Sequence, residues 1–268
     1  MNAFEFHCPT KIICGEGSLH KLPVKIADRG VTKPLIVTDA NLVKLGIAEQ
    51  VFTPLREADV NYSLYDHVPP DSSLNVVNEV ATLYREEKCD GWIALGGGSV
   101  IDTAKGAAAS VSVGEKDFTD LQGSEILQDE LDPLIAIPTT AGTGSEVTLV
   151  AVVADTENHA KLSYTSYRLV PHIAFLDPKL TASLPPRLTA TTGIDALTHA
   201  IEAYTSIQKN PISDALAQQA ISLISKNLAL SCAEPGNLEA RTNLALGSWR
   251  AHRFQTPWWG SFMQLAIP

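Results

Sequence analysis

The sequence predicts an α/β protein: a parallel sheet covered by helices, followed by a region that is helical only. Short apolar runs alternate with amphipathic stretches up to residue 176, and beyond Pro186 only helical periodicity remains. A third observation is Gly96-Gly97-Gly98, set between an apolar run and an Ala-rich stretch, because ligands of parallel sheets sit beyond the carboxyl ends of strands.

Residues 35–38 read as a buried strand, 42–57 as a helix, 62–65 as a short strand and 73–88 as a second helix. A strand over 92–95 runs into the glycines, residues 100–113 read as a helix, and a strand over 134–137 stops at Pro138. β-branched runs follow at 147–154 and 173–176, after which Pro178, Pro185 and Pro186 interrupt the chain. Residues 187–205, 213–230 and 238–247 read as helices separated by Pro211 and Pro235. The expected organisation is an α/β domain over 1–184, the start of a helical domain over 185–248, and an atypical tail over 249–268.

The chain has 268 residues, and 45% hydrophobic content is enough to fill a core of ordinary size. Thirty acidic residues against twenty Lys and Arg give a formal charge of −10, which repels nucleic acid and anionic membranes and favours small-molecule partners. No apolar run approaches the roughly 20 residues of a membrane span. Residues 1–19 lack the basic start and apolar core of a secretory signal, so a cytoplasmic location is expected. Cys8, Cys14, Cys89 and Cys232 form no Cys-x-x-Cys pair, so neither a disulfide framework nor a cysteine zinc site is indicated.

Four segments carry candidate chemistry. In Gly96-Gly97-Gly98-Ser99-Val100-Ile101-Asp102-Thr103-Ala104-Lys105, glycines let backbone amides approach a pyrophosphate at a helix N-terminus. The segment lacks both the Walker pattern and Gly-x-Gly-x-x-Gly, and a tight turn is the alternative. Asp39 at a strand end suits ribose hydroxyls and repels a 2′-phosphate, favouring NAD over NADP; a helix N-cap is the competing reading. Pro138-Thr139-Thr140-Ala141-Gly142-Thr143-Gly144-Ser145-Glu146 gathers hydroxyls and flexible backbone suited to phosphate and nicotinamide, or else forms a polar loop. Asp195 and His199 share a helix face four residues apart, as two ligands of one cation or as a surface contact. The other six histidines show no comparable pairing.

In this combination the sequence resembles the iron-containing (group III) alcohol dehydrogenases, in order over about the first 248 residues. The resemblance implies a Rossmann-like nucleotide-binding domain followed by an all-helical one, the dehydroquinate synthase-like arrangement, with the active site between them. It implies NAD-dependent oxidation of an alcohol or reduction of an aldehyde, assisted by ferrous iron or, in some members, zinc. A homo-oligomer fits the family habit. By position, Asp39 matches the adenosine-ribose acceptor and Gly97, Gly98 and Ser99 match pyrophosphate contacts. Asp71, Asp102, Thr139, Thr140, Thr143, Ser145 and Lys161 match further cofactor contacts, and Asp195 and His199 match two of four metal ligands. The other two metal ligands and a substrate-side histidine have no counterpart, since His252 is the only later histidine and its setting does not match. The iron site is therefore expected to be incomplete, no catalytic residue is assigned, and activity is expected to be impaired. Related readings are a glycerol dehydrogenase or maleylacetate reductase type of oxidoreductase, and a catalytically inactive nucleotide-binding fragment.

The segment from Trp249 to Pro268 contains no Asp or Glu yet holds Trp249, Trp258 and Trp259, three of the four tryptophans. A change of reading frame near Ser248 accounts for this. Read one base upstream, Trp249-Arg250-Ala251 becomes Leu-Ala-Gly when Ser248 ends in C and Arg250 is CGG. The Phe262/Met263 junction can encode only His or Tyr, and the next shifted codon is Ala. Family members read similarly there, so the chain is expected to be C-terminally truncated, and codons incompatible with these choices would remove the idea.

Overall fold

The computed structural model describes residues 4, 6–114, 123–124, 127 and 129–252. Six strands form one parallel sheet: β1 (Lys11–Cys14), β2 (Pro34–Val37), β3 (Ser63–Tyr65), β4 (Gly91–Gly96), β6 (Leu134–Pro138) and β9 (Ile173–Leu176). Their order is β1-β9-β6-β4-β2-β3, and every pairing is parallel. A second sheet joins β5 (Gly123–Ser124), β8 (Ala160–Thr165) and β7 (Val150–Asp155), with β7 and β8 antiparallel.

Alternation along the central strands divides the interior. Leu35, Val37, Trp92, Ala94, Leu134 and Ala136 face a core shared with α4 (Leu74–Glu86) and α5 (Gly98–Ser112). Ile36, Ile93, Leu95, Ile135, Ile137 and Phe175 face the opposite core with α1 (Leu22–Ala27) and α3 (Glu49–Glu57). Both faces are covered, which explains why these strands read as continuous apolar runs. Tyr84 stacks on the buried Trp92 at 3.9 Å, tying α4 to β4.

Two sequence expectations change. The helix expected over 42–57 is two helices, α2 (Ala40–Lys44) and α3, because Gly46 turns the chain at φ 72°. The run at 147–154 becomes a strand only from Val150, since Val147 donates its N–H back to Gly144 O in a turn. β1 and β8 lay outside the sequence expectations.

After β9 the described chain is helical: α6 (Pro178–Ala182), α7 (Pro186–Thr205), α8 (Pro211–Ala233) and α9 (Leu238–Ala251). Asn210 caps α8 with a reciprocal box, its side chain accepting from Ser213 N while Ser213 Oγ accepts from Asn210 N. Ala196, Ala200, Ala220, Ile224, Leu244 and Ala251 pack these three long helices around Ala141 of the loop after β6. Small residues allow close helix approach, and Gly193 lies where a Cβ would come within 2.4 Å of Leu228 Cδ1.

Candidate functional site

The strand order reverses at β2, which lies between β3 and β4, and the crevice beyond the carboxyl ends of β2 and β4 is where this topology takes ligands. β4 ends at Gly96, Gly97 is the extended N-cap of α5, and no side chain caps that N-terminus. Thr139 N donates to Gly96 O at 3.0 Å, which brings the loop after β6 over the glycines. A Cβ on Gly98 would stand 2.8 Å from both Thr143 Cγ2 and Thr143 Oγ1. A Cβ on Gly97 would stand 3.4 Å from Thr140. The two loops meet so closely that only glycine fits at 98.

Between them lies a cavity of about 240 Å³. It gathers Asp71, Gly98, Ser99, Asp102, Thr143, Ser145 and Lys161 from the sequence-predicted set. Asp39, Gly97, Thr139 and Thr140 stand outside its lining. Lining residues that the sequence reading did not single out are Ser72 from the loop before α4, Thr148 from the segment before β7, and Val150, Val152 and Ala154 of β7. Alternation along β7 is the signal that could have found its three, since Val150, Val152 and Ala154 all line the cavity.

Each site residue has a local cause. Asp39 Oδ1 accepts from Asn41 N and Leu42 N at 2.9 and 3.1 Å, so Asp39 is the N-cap of α2. Asp71 sits at φ 53°, donates its N–H to Ser99 Oγ at 3.3 Å and pairs with Lys161 Nζ at 3.3 Å across the cavity mouth. Thr143 Oγ1 and Ser145 Oγ lie 3.1 Å apart. Asp102 Oδ2 accepts from Val152 N at 3.1 Å, and the Ser145 hydroxyl faces the same buried carboxylate, whose Oδ1 has no donor at full hydrogen-bond geometry. Burial pushes the Asp102 carboxyl up, opposed by the charge of Lys105. The Lys105 ammonium is itself fully buried, donating to Thr148 O at 2.8 Å, Val150 O at 2.9 Å and Thr148 Oγ1 at 3.1 Å. It therefore fixes the far end of the hydroxyl loop to α5.

These features suit a dinucleotide: an uncapped helix N-terminus behind glycines, a carboxylate oxygen with capacity for a donor group, and a cation at the mouth. Alanine at Gly98 should push Thr143 outward and weaken NADH binding by about tenfold, a loss of ~1.4 kcal/mol. A fluorescence titration of the variant checks this.

The positions expected to hold a metal behave differently. Asp195 and His199 lie on α7, with Asp195 Oδ1 3.8 Å from His199 Nδ1, and His199 is buried at 8% exposure. His252, which the sequence left without a partner, is the departure here. At the end of α9 it places Nε2 2.9 Å from His199 Nδ1, while its own Nδ1 lies 2.8 Å from Ser248 O. Burial first, then the neighbouring His199, holds the His252 ring down at about 3. Among the described residues, no group of three or more His, Cys, Asp or Glu side chains converges as a metal site. The described side chains thus do not make up a complete iron site. Trp258, Trp259 and Met263, and with them the reading-frame features of the tail, lie outside the described residues.

The sequence matches the family described as iron-containing alcohol dehydrogenase over residues 9–178, and the C-terminal part of the same family over 189–256. This chain belongs to the iron-containing alcohol dehydrogenase family. It is 41% identical over 242 residues to a choline dehydrogenase of Bacillus subtilis, covering 90% of this chain and 60% of that protein. It is 38% identical over 247 residues to a 1,3-propanediol dehydrogenase of Klebsiella pneumoniae, covering 91% and 64%. Its fold is similar to that of a sulfoacetaldehyde reductase from Bifidobacterium kashiwanohense solved with NAD⁺, at TM-score 0.88 and 32% identity, covering 96% of this chain and 68% of that one. The chain thus spans about 60% of the length of the curated relatives it matches.

Proposed function

We propose that the cleft at β2 and β4 binds NAD(H), and that the alcohol and aldehyde chemistry of the family is impaired in this chain. The observation that carries the nucleotide reading is the juxtaposition of Gly98 under Thr143 with Asp102, whose Oδ1 lacks a donor at full hydrogen-bond geometry, in one cavity. When bound, the nicotinamide supplies the hydride donor or acceptor.

In this reading Gly97, Gly98 and Ser99 present backbone to the pyrophosphate, and Asp39 receives the adenosine ribose, which favours NAD over NADP. Asp102 Oδ1 accepts from a donor group of the cofactor, Thr139, Thr140, Thr143 and Ser145 close over it, and Asp71 and Lys161 stand at the entrance. The nucleotide-binding domain ends near Leu184, after which α7 carries Asp195 and His199. The substrate class is a small alcohol or aldehyde, the location cytoplasmic, and the family arrangement a homo-oligomer. No helix among the described residues is long and apolar enough to cross a membrane.

A second reading, a nucleotide-binding chain without turnover, is favoured by the expected metal positions: only Asp195 and His199 match, and among the described residues no group of three or more His, Cys, Asp or Glu side chains forms a metal site there. NADH titration joined to an assay with primary alcohols and with aldehydes tests both parts. Saturable NADH binding, weakened in Asp102→Asn, is expected, with turnover far below that of the full-length relatives. Absence of NADH binding would sink the nucleotide reading, and turnover matching those relatives would sink the impairment.

A further inference from the structure

We propose that His252 stands in for the metal ion at His199: its imidazole bonds to the ring nitrogen that faces Asp195 and closes this position to a divalent cation. This rests on reading Asp195 and His199 as the family's metal positions. His199 Nδ1 faces Asp195 Oδ1 at 3.8 Å and His252 Nε2 at 2.9 Å, so one nitrogen looks toward both neighbours.

A ligating imidazole nitrogen must offer its lone pair to the cation. In the His199–His252 bond the lone pair of His199 Nδ1, the nitrogen facing Asp195, is unavailable whichever ring carries the proton, so no cation can bridge Asp195 Oδ1 and that nitrogen. If His252 Nε2 donates, the lone pair of His199 Nδ1 accepts the bond. If His199 Nδ1 donates, that nitrogen bears hydrogen and has none to offer. The contact with Ser248 selects the second arrangement for a neutral His252, because a carbonyl oxygen can only accept and His252 Nδ1 must therefore carry hydrogen.

His252 is also held in place on its other side. A Cβ on Gly144, at φ 61°, would fall 2.2 Å from His252 Cγ and 2.4 Å from its Cβ, so the base of the ring rests on the backbone of the hydroxyl loop. Ser248 Oγ donates to Gly142 O at 3.3 Å one turn earlier on α9. The end of α9 is thus seated between the loop after β6 and α7. Moving His252 aside for a cation means breaking two hydrogen bonds and lifting α9 from Gly144.

The test is a Co²⁺ titration of the metal-stripped full chain, followed by calorimetry and by ligand-field absorption, beside His199→Ala and His252→Ala. The native chain and His199→Ala are expected to bind Co²⁺ alike within a factor of about two, with no stoichiometric ligand-field band. His252→Ala removes the competing bond and should bind Co²⁺ about fivefold more tightly than the native chain. Adding His199→Ala to it should erase that gain. A one-equivalent Co²⁺ band in the native chain that His199→Ala abolishes would overturn the proposal, as would no gain in a folded His252→Ala. Should His252→Ala fail to fold, the comparison of native chain with His199→Ala still decides. NADH titration of the same metal-free samples judges the nucleotide reading separately, since its failure leaves the Co²⁺ result standing.

Discussion

Replacing Lys105 by methionine is expected to lower the unfolding free energy by about 3–5 kcal/mol, read as a fall in the denaturant midpoint at unchanged slope. Methionine fills most of the volume but leaves Thr148 O and Val150 O without their donor and removes the charge that offsets Asp102. Much of the loss is the penalty of a buried carboxylate left uncompensated, so adding Asp102→Asn should recover about 1–2 kcal/mol.

The pH dependence gives an independent signature. Burial holds Lys105 down at about 8 against the raising effect of Asp102 and Glu146, while its unperturbed value is 10.5. Between those values the unfolded chain binds more protons than the folded one, so the lysine makes stability rise with pH across that window, by about 3 kcal/mol. Cys14 and Cys89 oppose this, because burial raises their folded thiols above 9.0 and the unfolded chain loses its protons first. Both cysteines are present in the variant as well, so their contribution cancels in the difference. The stability gap between native chain and Lys105→Met should therefore widen from pH 8 to 10.5, as equilibrium unfolding across that range would show. Direct consequences for the cleft follow, since Lys105 anchors Thr148 and Asp102 lines the same cavity.

The central sheet was legible because its strands are buried on both faces and read as apolar runs of one period. β8 was not, because Lys161, Ser163 and Thr165 alternate with Leu162 and Tyr164, giving a half-exposed strand of ordinary polarity. β1 is a partly exposed edge strand, whose four residues carry little signal. The candidate cofactor residues stood out as motifs, yet the motifs could not separate roles within them. Asp39 has the geometry of an N-cap with a second oxygen to spare, so both readings weighed for it are compatible with one side chain. Lys105 closes the first glycine segment in the sequence, but its function as a buried clamp depends on Thr148 and Val150, more than forty residues away. His252 is the strongest case: nothing local marks it, and its bond to His199 spans 53 residues and exists only because α7 and α9 pack together. Long-range pairings of this kind carry no periodicity, which is why the donor opposite His199 emerged only from the fold.

The helical segment hinges on a second buried cation, and Arg241→Ala is expected to destabilise the chain by about 3–4 kcal/mol. Arg241 is 1% exposed and is satisfied mainly by neutral acceptors: Nη1 donates to Thr189 Oγ1 at 2.8 Å, Nε to Pro235 O at 3.1 Å and Nη2 to Leu184 O at 3.4 Å. One planar fork thereby joins three points of the chain: the end of the α6 turn, the first turn of α7, and the link between α8 and α9. Alanine removes all three bonds and opens a cavity, whereas lysine offers a point charge that cannot span the three directions, so Arg241→Lys should recover little of the loss. The effect should reach the cleft through α7. A Cβ on Gly142 would lie 2.6 Å from Thr192 Cβ, so the hydroxyl loop and the first turns of α7 are in direct packing contact. Amide exchange should therefore accelerate across both the start of α7 and the loop after β6 in Arg241→Ala, and remain native-like in α4 on the far side of the sheet. Acceleration confined to α8 and α9 would show instead that the guanidinium braces only the helical hairpin, leaving the seating of α7 against the loop after β6 to the packing of Gly142 alone.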